Sequence, residues 1–253
     1  MKGNLTIDIG NTTVKVTCFH GTQLVATSRC AASDVQVLDR FISTYKPDTA
    51  ILCSTASPAV TQDLVSQVEG RCHRVLQLTH ETPMPIRLVY RTPHTLGRDR
   101  IATAVGAWSI VREHGDDCDV LVIDAGTAIT YDLTLADGSF VGGNIAPGVR
   151  LRFAALHEHT GRLPLVTLQG EMPLVGYDTA TAIRSGVLLG VLGEVRNYIA
   201  TLDREHPGLK VFFTGGDGQW LHSHLDDVNT DYYEQLAAEG LNRIHLYNQA
   251  NGN

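Results

Sequence analysis

Asp8-Ile9-Gly10-Asn11-Thr12-Thr13 closes a short apolar run at the start of the chain. It is echoed near the middle by Asp124-Ala125-Gly126-Thr127-Ala128-Ile129-Thr130, after Val120-Leu121-Val122-Ile123. Asp8 aligns with Asp124, and Gly10 with Gly126. Each copy reads as strand, tight glycine turn, strand. The glycine lets the backbone bend sharply and approach a ligand with no Cβ in the way. Flanking amides and threonine hydroxyls are donors suited to phosphate oxygens, and strand-end aspartates suit a metal ion or its water shell. One Asp-x-Gly alone also makes an ordinary turn. Two copies, each followed by threonines and a returning strand, make the phosphate reading the stronger one. Two such hairpins facing each other would clasp a nucleoside triphosphate between two lobes.

The length of 253 residues allows one large domain or two small ones, and the halved signature favours two. The expected boundary lies near Gly115 to Asp119, giving domains 1–116 and 117–253. A composition with 43% apolar and 19% charged residues implies an ordinary globular core. The net charge of −7 argues against a nucleic-acid surface, though not against a local site for an anion. None of the four lysines, Lys2, Lys15, Lys46 and Lys210, lies in G-x-x-x-x-G-K-[ST], and G-x-G-x-x-G is missing too. Cys18, Cys30, Cys53, Cys72 and Cys118 are scattered and odd in number, as free thiols in a reducing compartment would be. With no signal-like start and no apolar stretch of membrane-spanning length, a soluble cytoplasmic protein is expected.

Strands are expected at Leu5–Ile9, Thr13–Phe19, Gln23–Ser28, Thr49–Ser54, His73–Leu78 and Ile86–Tyr90, with helices at Asp34–Tyr45, from Ser57-Pro58 to Gly70, and at Arg98–His114. The theme then repeats. Strands Val120–Ile123, Ala128–Leu135 and Phe140–Ile145 precede a helix from Gly148 into His157. Gly161 to Gly176, with two prolines and no period, reads as loop; Thr179–Glu205 reads as a long helix, and Leu209–Thr214 as a strand. Gly186, Gly190 and Gly193 put small residues on one flank of the long helix, suited to close packing within the chain or across a two-fold axis.

Three further segments carry possible chemistry. Gly97-Arg98-Asp99-Arg100 opens a helix, where an acidic residue is favoured by the dipole alone. Its functional reading has Asp99 taking a proton from a substrate hydroxyl and Arg100 binding a carboxylate with its planar fork of donors. Gly142 to Gly148 and Thr214-Gly215-Gly216-Asp217 are glycine turns that also let backbone come close to a ligand. His157-Glu158-His159 and His222-Ser223-His224 look metal-like, but residues two apart on a helix point to different faces. Without G-x-S-x-G, a hydrolase triad has no support.

In order and spacing, Asp8 to Thr12, Gly97 to Arg100, Asp124 to Thr127, Gly142 to Gly148 and Thr179 to Gly186 resemble the type III pantothenate kinases, of the acetate and sugar kinase/Hsp70/actin superfamily. The resemblance runs through nearly the whole chain. It implies an α/β fold of two tandem ribonuclease H-like, actin-like ATPase domains, with mixed sheets flanked by helices. It implies that Asp8, Ile9, Gly10, Asn11, Thr12, Thr13, Val14 and Lys15 hold ATP phosphates, with Asp8 also near Mg2+ and Thr127 touching ATP. Asp99 would be the general base, and Tyr90, Gly97, Arg98, Asp99 and Arg100 would hold pantothenate. Asp124 would coordinate a monovalent cation, K+ or NH4+, and Thr179 would complete the pantothenate site of the neighbouring subunit in a homodimer.

Phosphoryl transfer asks a protein mainly to align and neutralise. A carboxylate base suffices because proton loss is late in a loose transition state. Two other readings stay open: a non-catalytic nucleotide-binding accessory factor for transcription, and a sugar kinase of the same superfamily. A pure sensor has no need of Asp99, and a sugar substrate gives Arg100 no carboxylate to bind.

Overall fold

The computed structural model describes residues 3–10, 13–31, 34–225, 228 and 230–252. They form two compact units. The first comprises Met1–Asp117, Thr134–Val141 and Gln235–Asn253, and the second Cys118–Leu133 and Gly142–Glu234.

In the first unit, strands β1 (Gly3–Ile9), β2 (Thr13–His20) and β3 (Gln23–Ala31) form an antiparallel meander. Strands β4 (Thr49–Ser54) and β5 (Arg74–Gln77) add to it in parallel, giving the order β3-β2-β1-β4-β5. Alternation along β1 and β2 sends Leu5, Ile7, Ile9, Val14 and Val16 to one face. There they meet Leu38, Phe41 and Ile42 of α1 (Val35–Tyr45) and Leu64, Val65 and Val68 of α2 (Pro58–Glu69). Asp34 stands at the N-cap of α1 as expected, but its side chain makes no capping hydrogen bond. Of the strand expected at Ile86–Tyr90, only β6 (Arg87–Leu88) pairs, with Ser139 and Phe140.

On the other face Ile51 and Cys53 pack with Ile101 and Val105 of α3 (Arg98–Glu113) and with Leu241 and Ile244 of the C-terminal helix. That helix (Leu236–Ala250, numbered α7 below) corrects the expected division at 116/117, which put everything after it in a second domain. It returns to α3, and glycines make the approach possible. A Cβ at Gly240 would overlap the Ala102 carbonyl, and one at Gly106 would stand 2.5 Å from the Leu236 oxygen. The helix also buries polar groups. Asn242 Nδ2 donates to the Gly21 carbonyl at 2.8 Å and Asn248 Nδ2 to the Pro83 carbonyl at 2.7 Å; His245 Nε2 lies 2.7 Å from Thr49 Oγ1.

The second unit repeats the plan. Strands β7 (Val120–Ala125), β8 (Ala128–Thr134) and β9 (Ser139–Pro147) follow one another, and β10 (Lys210–Thr214) and β11 (Thr230–Tyr232) add in parallel beside β7. The full sheet order is β11-β10-β7-β8-β9-β6, and its first five strands follow the same plan as β5-β4-β1-β2-β3. The connecting helices are α4 (Val149–Glu158), α5 (Thr179–Glu205, with the expected bounds) and α6 (Gly218–Ser223). Tyr131 Oη donates to Glu194 Oε1 at 2.7 Å and Arg152 Nη2 to Glu194 Oε2 at 2.7 Å, tying α4 and α5 to the sheet. Among the described residues no helix is long and apolar enough to cross a membrane.

Burial, then the Arg74 charge, lowers the His245 pKa from 6.5 to about 4. The fold therefore favours the neutral ring. Its stabilisation is complete above the unfolded pKa of about 6.5 and is lost as pH falls through 6.5 toward 4. Between pH 7.5 and 5 this group should cost the native state up to about 2 kcal/mol. Thermal melts of wild type and His245→Gln at both pH values check this: the variant should lose less of its melting temperature on acidification.

Candidate active site

The first unit gathers three acidic or sulfur groups at one end of its sheet. Asp8 ends β1 beside Cys53 of β4, to which it is matched in parallel register. The Cys53 thiol is fully buried and donates to Asp8 Oδ1 at 3.4 Å. Burial, reinforced by the charges of Asp8 and Asp99, pushes the Cys53 thiol well up, so it stays protonated and serves as a donor. Burial likewise raises the Asp8 carboxyl; Lys15 opposes the shift and Asp99 adds to it. Sequence reading missed Cys53, because nothing in a single strand says which residue of another strand will lie beside it.

Asp99 sits in the first turn of α3, where Oδ1 accepts the backbone N–H of Arg100 at 2.9 Å. Gly97 caps this helix with φ −56°, a conformation open to any residue. Space, not backbone freedom, demands glycine: a Cβ at 97 would stand 2.5 Å from Asp99 Oδ1. Arg98 braces the turn by donating to the Leu96 carbonyl, and to the His94 carbonyl at 3.4 Å. Arg100 is buried at 6% exposure, with its guanidinium carbon 5.8 Å from the Tyr90 ring centroid and 6.0 Å from that of Phe140. Both distances suit cation–π attraction.

In the hairpin after Asp8, Gly10 N–H donates to the Thr13 carbonyl at 2.9 Å. Asn11 and Thr12 lie outside the described residues. Thr13 is exposed and Lys15 half-buried, whereas Ile9 and Val14 point into the core, leaving only their backbone to meet a ligand.

The second unit brings together what were separate motifs in the sequence. Asp124 of β7 is in register with Thr214 of β10. Gly215 follows with φ +87°, and a Cβ there would overlap Asp124 Oδ1. The Asp217 N–H donates to the Ala125 carbonyl at 2.9 Å. From the other side, Gly148 N–H donates to the Thr127 carbonyl at 2.9 Å, and a Cβ at 148 would overlap the Gly126 carbonyl. The Asp124–Thr127 turn is thus enclosed by both glycine segments. Burial raises the Asp217 carboxyl, against the pull of Arg150 at 3.5 Å.

Thr179 opens α5 and is exposed. Asp178 before it forms a capping box with Thr181: the Thr181 N–H donates to Asp178 Oδ1 at 2.7 Å, and the Asp178 N–H to Thr181 Oγ1 at 3.1 Å. Gly186, Gly190 and Gly193 are exposed, and a Cβ on any of them would meet nothing within 4 Å. The close packing expected of them does not occur among the described residues.

Among the described residues no three His, Cys, Asp or Glu side chains gather as a preformed metal cluster. Magnesium carried by a nucleotide takes one or two protein carboxylates and completes its shell with phosphates and water. Asp8, with Oδ1 on a neutral thiol, fits that role. Asp124 is the corresponding carboxylate of the second unit, beside Thr214.

A model of the type III pantothenate kinase family matches residues 4–201. A type III pantothenate kinase of Phocaeicola vulgatus is 41% identical over 246 residues, covering 97% of this chain and 98% of that one. Among solved structures, one described as a Baf family transcriptional activator from Campylobacter jejuni superposes with TM-score 0.63 at 23% identity, covering 97% of this chain and 99% of the other. An inorganic polyphosphate/ATP-glucomannokinase from Arthrobacter does so with TM-score 0.52 at 14% identity, over 97% and 99%. At these identities the two structures share the actin-like kinase fold with this chain, and nothing finer.

The steric role of Gly97 is testable by Gly97→Ala. The added methyl should push the Asp99 carboxylate off the Arg100 N–H, lowering kcat by at least about tenfold, the scale of one charge-assisted hydrogen bond. The melting temperature should change little, since φ at 97 is unstrained. An unchanged kcat in the folded variant would show that turnover does not depend on where this carboxylate sits.

Proposed function

The chain belongs to the type III pantothenate kinase family and phosphorylates pantothenate in coenzyme A biosynthesis; from that premise we propose that Asp99 is its general base. The observation that carries this reading is the Asp99 carboxylate, held over Gly97 by the first turn of α3, in the same unit and electrostatic reach as Asp8. Asp99 would accept the proton of the pantothenate primary hydroxyl as that oxygen attacks the γ-phosphorus of ATP. Tyr90, Gly97, Arg98 and Arg100 would hold pantothenate, the Arg100 guanidinium being oriented by the aromatic rings beside it.

The hairpin from Asp8 to Lys15 would hold the ATP phosphates, and Thr127 would touch ATP from the second unit's own turn. Mg2+, bound with ATP, would neutralise charge on the transferring phosphoryl group, with Asp8 as the protein carboxylate nearest to it. K+ or NH4+ at Asp124 would offset charge where carboxylate and phosphate meet. The burial-raised pKa of Asp8 fits a carboxylate that awaits a cation.

Asp99→Asn should keep the fold and lower kcat by about 100-fold to 10,000-fold in a coupled assay with ATP, Mg2+, K+ and pantothenate. Near-native turnover would sink the base assignment. Glucose or glycerol accepted in place of pantothenate would instead favour the sugar-kinase reading.

We also propose a homodimer in which Thr179 completes the partner's pantothenate site. Leu174, Val175 and Tyr177, just before Thr179, are 87%, 79% and 68% exposed, and the glycine flank of α5 is open. Large apolar side chains left exposed together mark an association surface. Asp99→Asn and Thr179→Trp proteins, each inactive alone, should recover roughly a quarter of wild-type activity when mixed with free subunit exchange. Exchange seen by mass spectrometry with no recovery would place Thr179 in its own chain's site or in packing alone.

A further inference from the structure

Strand register aligns four charged or polar side chains in one row across the first sheet. Arg29 of β3 is opposite Lys15 of β2, Lys15 is opposite Asp8 of β1, and Asp8 is beside Cys53 of β4. Residues at one rank of neighbouring strands share a face of the sheet. The next rank confirms which face, since Thr27 and Thr17 touch through their hydroxyls at 3.1 Å. Ala26 and Cys30, with the opposite parity along β3, pack into the apolar core. Arg29 therefore stands on the polar side of the sheet with Lys15 and Asp8.

Two cations directly opposite on antiparallel strands repel each other and weaken the sheet. Neither Lys15 nor Arg29 has an ion-pair partner among the described residues. Asp8 lies on the far side of Lys15 and carries at most one negative charge, so the pair remains short of anion. A ligand with several adjacent negative charges would relieve that repulsion, and two flexible cationic side chains about one strand spacing apart can converge on neighbouring phosphates. Lys15 belongs to the motif that sequence reading singled out; Arg29 lies in a different strand and in no motif.

We infer that Arg29 is a further ligand of the nucleotide's polyphosphate, acting beside Lys15 on the face of the sheet that carries Asp8. The inference rests on the reading that the Asp8–Lys15 hairpin holds the phosphates of ATP. Arg29 would add a planar fork of donors where Lys15 supplies a point charge. It would favour triphosphate over monophosphate without touching the acceptor.

The test is calorimetric titration of the full-length protein with ATP, ADP and AMP, in wild type, Arg29→Ala, Arg29→Lys and Lys15→Ala, with pantothenate KM measured alongside. Arg29→Ala should weaken ATP binding about tenfold, leave AMP binding and the pantothenate KM unchanged, and reduce the dependence of ATP affinity on salt. Arg29→Lys should recover part of the loss. If Lys15→Ala weakens ATP binding and Arg29→Ala stays within twofold of wild type, Arg29 is a solvated surface cation and the inference fails alone. If neither variant changes ATP affinity, the hairpin reading fails and takes the inference with it. An equal loss for ATP, ADP and AMP would also overturn it, since a polyphosphate ligand must discriminate among them. Arg29 is exposed, so its variants should fold; a melting curve checks this, and Arg29→Gln replaces Arg29→Ala if that variant melts early.

Discussion

Helix α3 can present Asp99 only because another helix lies almost in backbone contact with it. Gly106 and Gly240 allow that approach, and a Cβ at 240 would drive α7 off the Ala102 carbonyl. Interiors are packed too densely to absorb such an overlap locally. The contact buries Ile101 and Val105 of α3 with Leu241 and Ile244 of α7 over Ile51 and Cys53 of the sheet. The last residues of the chain thus hold in place a helix whose first turn carries the proposed base. Asn242, His245 and Asn248 add hydrogen bonds that fix the rotation of α7 about its own axis.

The same strand order appears twice, and each copy puts an aspartate at the end of its first strand. What surrounds the aspartate differs. In the first unit its parallel neighbour is a buried thiol, which supplies one weak donor and no charge. In the second it is Thr214, followed by a glycine turn at positive φ that presses against the carboxylate. One architecture therefore gives its two aspartates different surroundings, set by which residue occupies the neighbouring strand.

An acidic protein that handles an anionic nucleotide must concentrate positive charge locally. Here Lys15 and Arg29 share one face of the first sheet, and Arg100 is kept beside two aromatic rings. Long-range attraction for the nucleotide is weak at net charge −7, so binding depends on short-range, directional contacts. Burial, with the Asp99 charge adding to it, raises the cost of ionising Asp8, and Lys15 opposes that shift.

The two Asp-x-Gly hairpins, the strand–helix succession as far as β10, the loop between Gly161 and Gly176 and the bounds of α5 were legible in the sequence. Each is a local matter of apolar period, glycine and cap. Family membership was legible too, since it rests on residue order and spacing. The sequence did not reveal α7. Its inward face carries Asn242, His245 and Asn248 among Leu241 and Ile244, so the apolar period that marks an amphipathic helix is broken by polar groups whose partners lie far off in the chain. Nor could it show that Cys53 touches Asp8, that Arg29 stands in the row of Lys15 and Asp8, or that Gly148 and Gly215 close on the same turn. Periodicity says which face of an element is buried. Only tertiary pairing sets the register between distant strands, and that register decides which side chains meet.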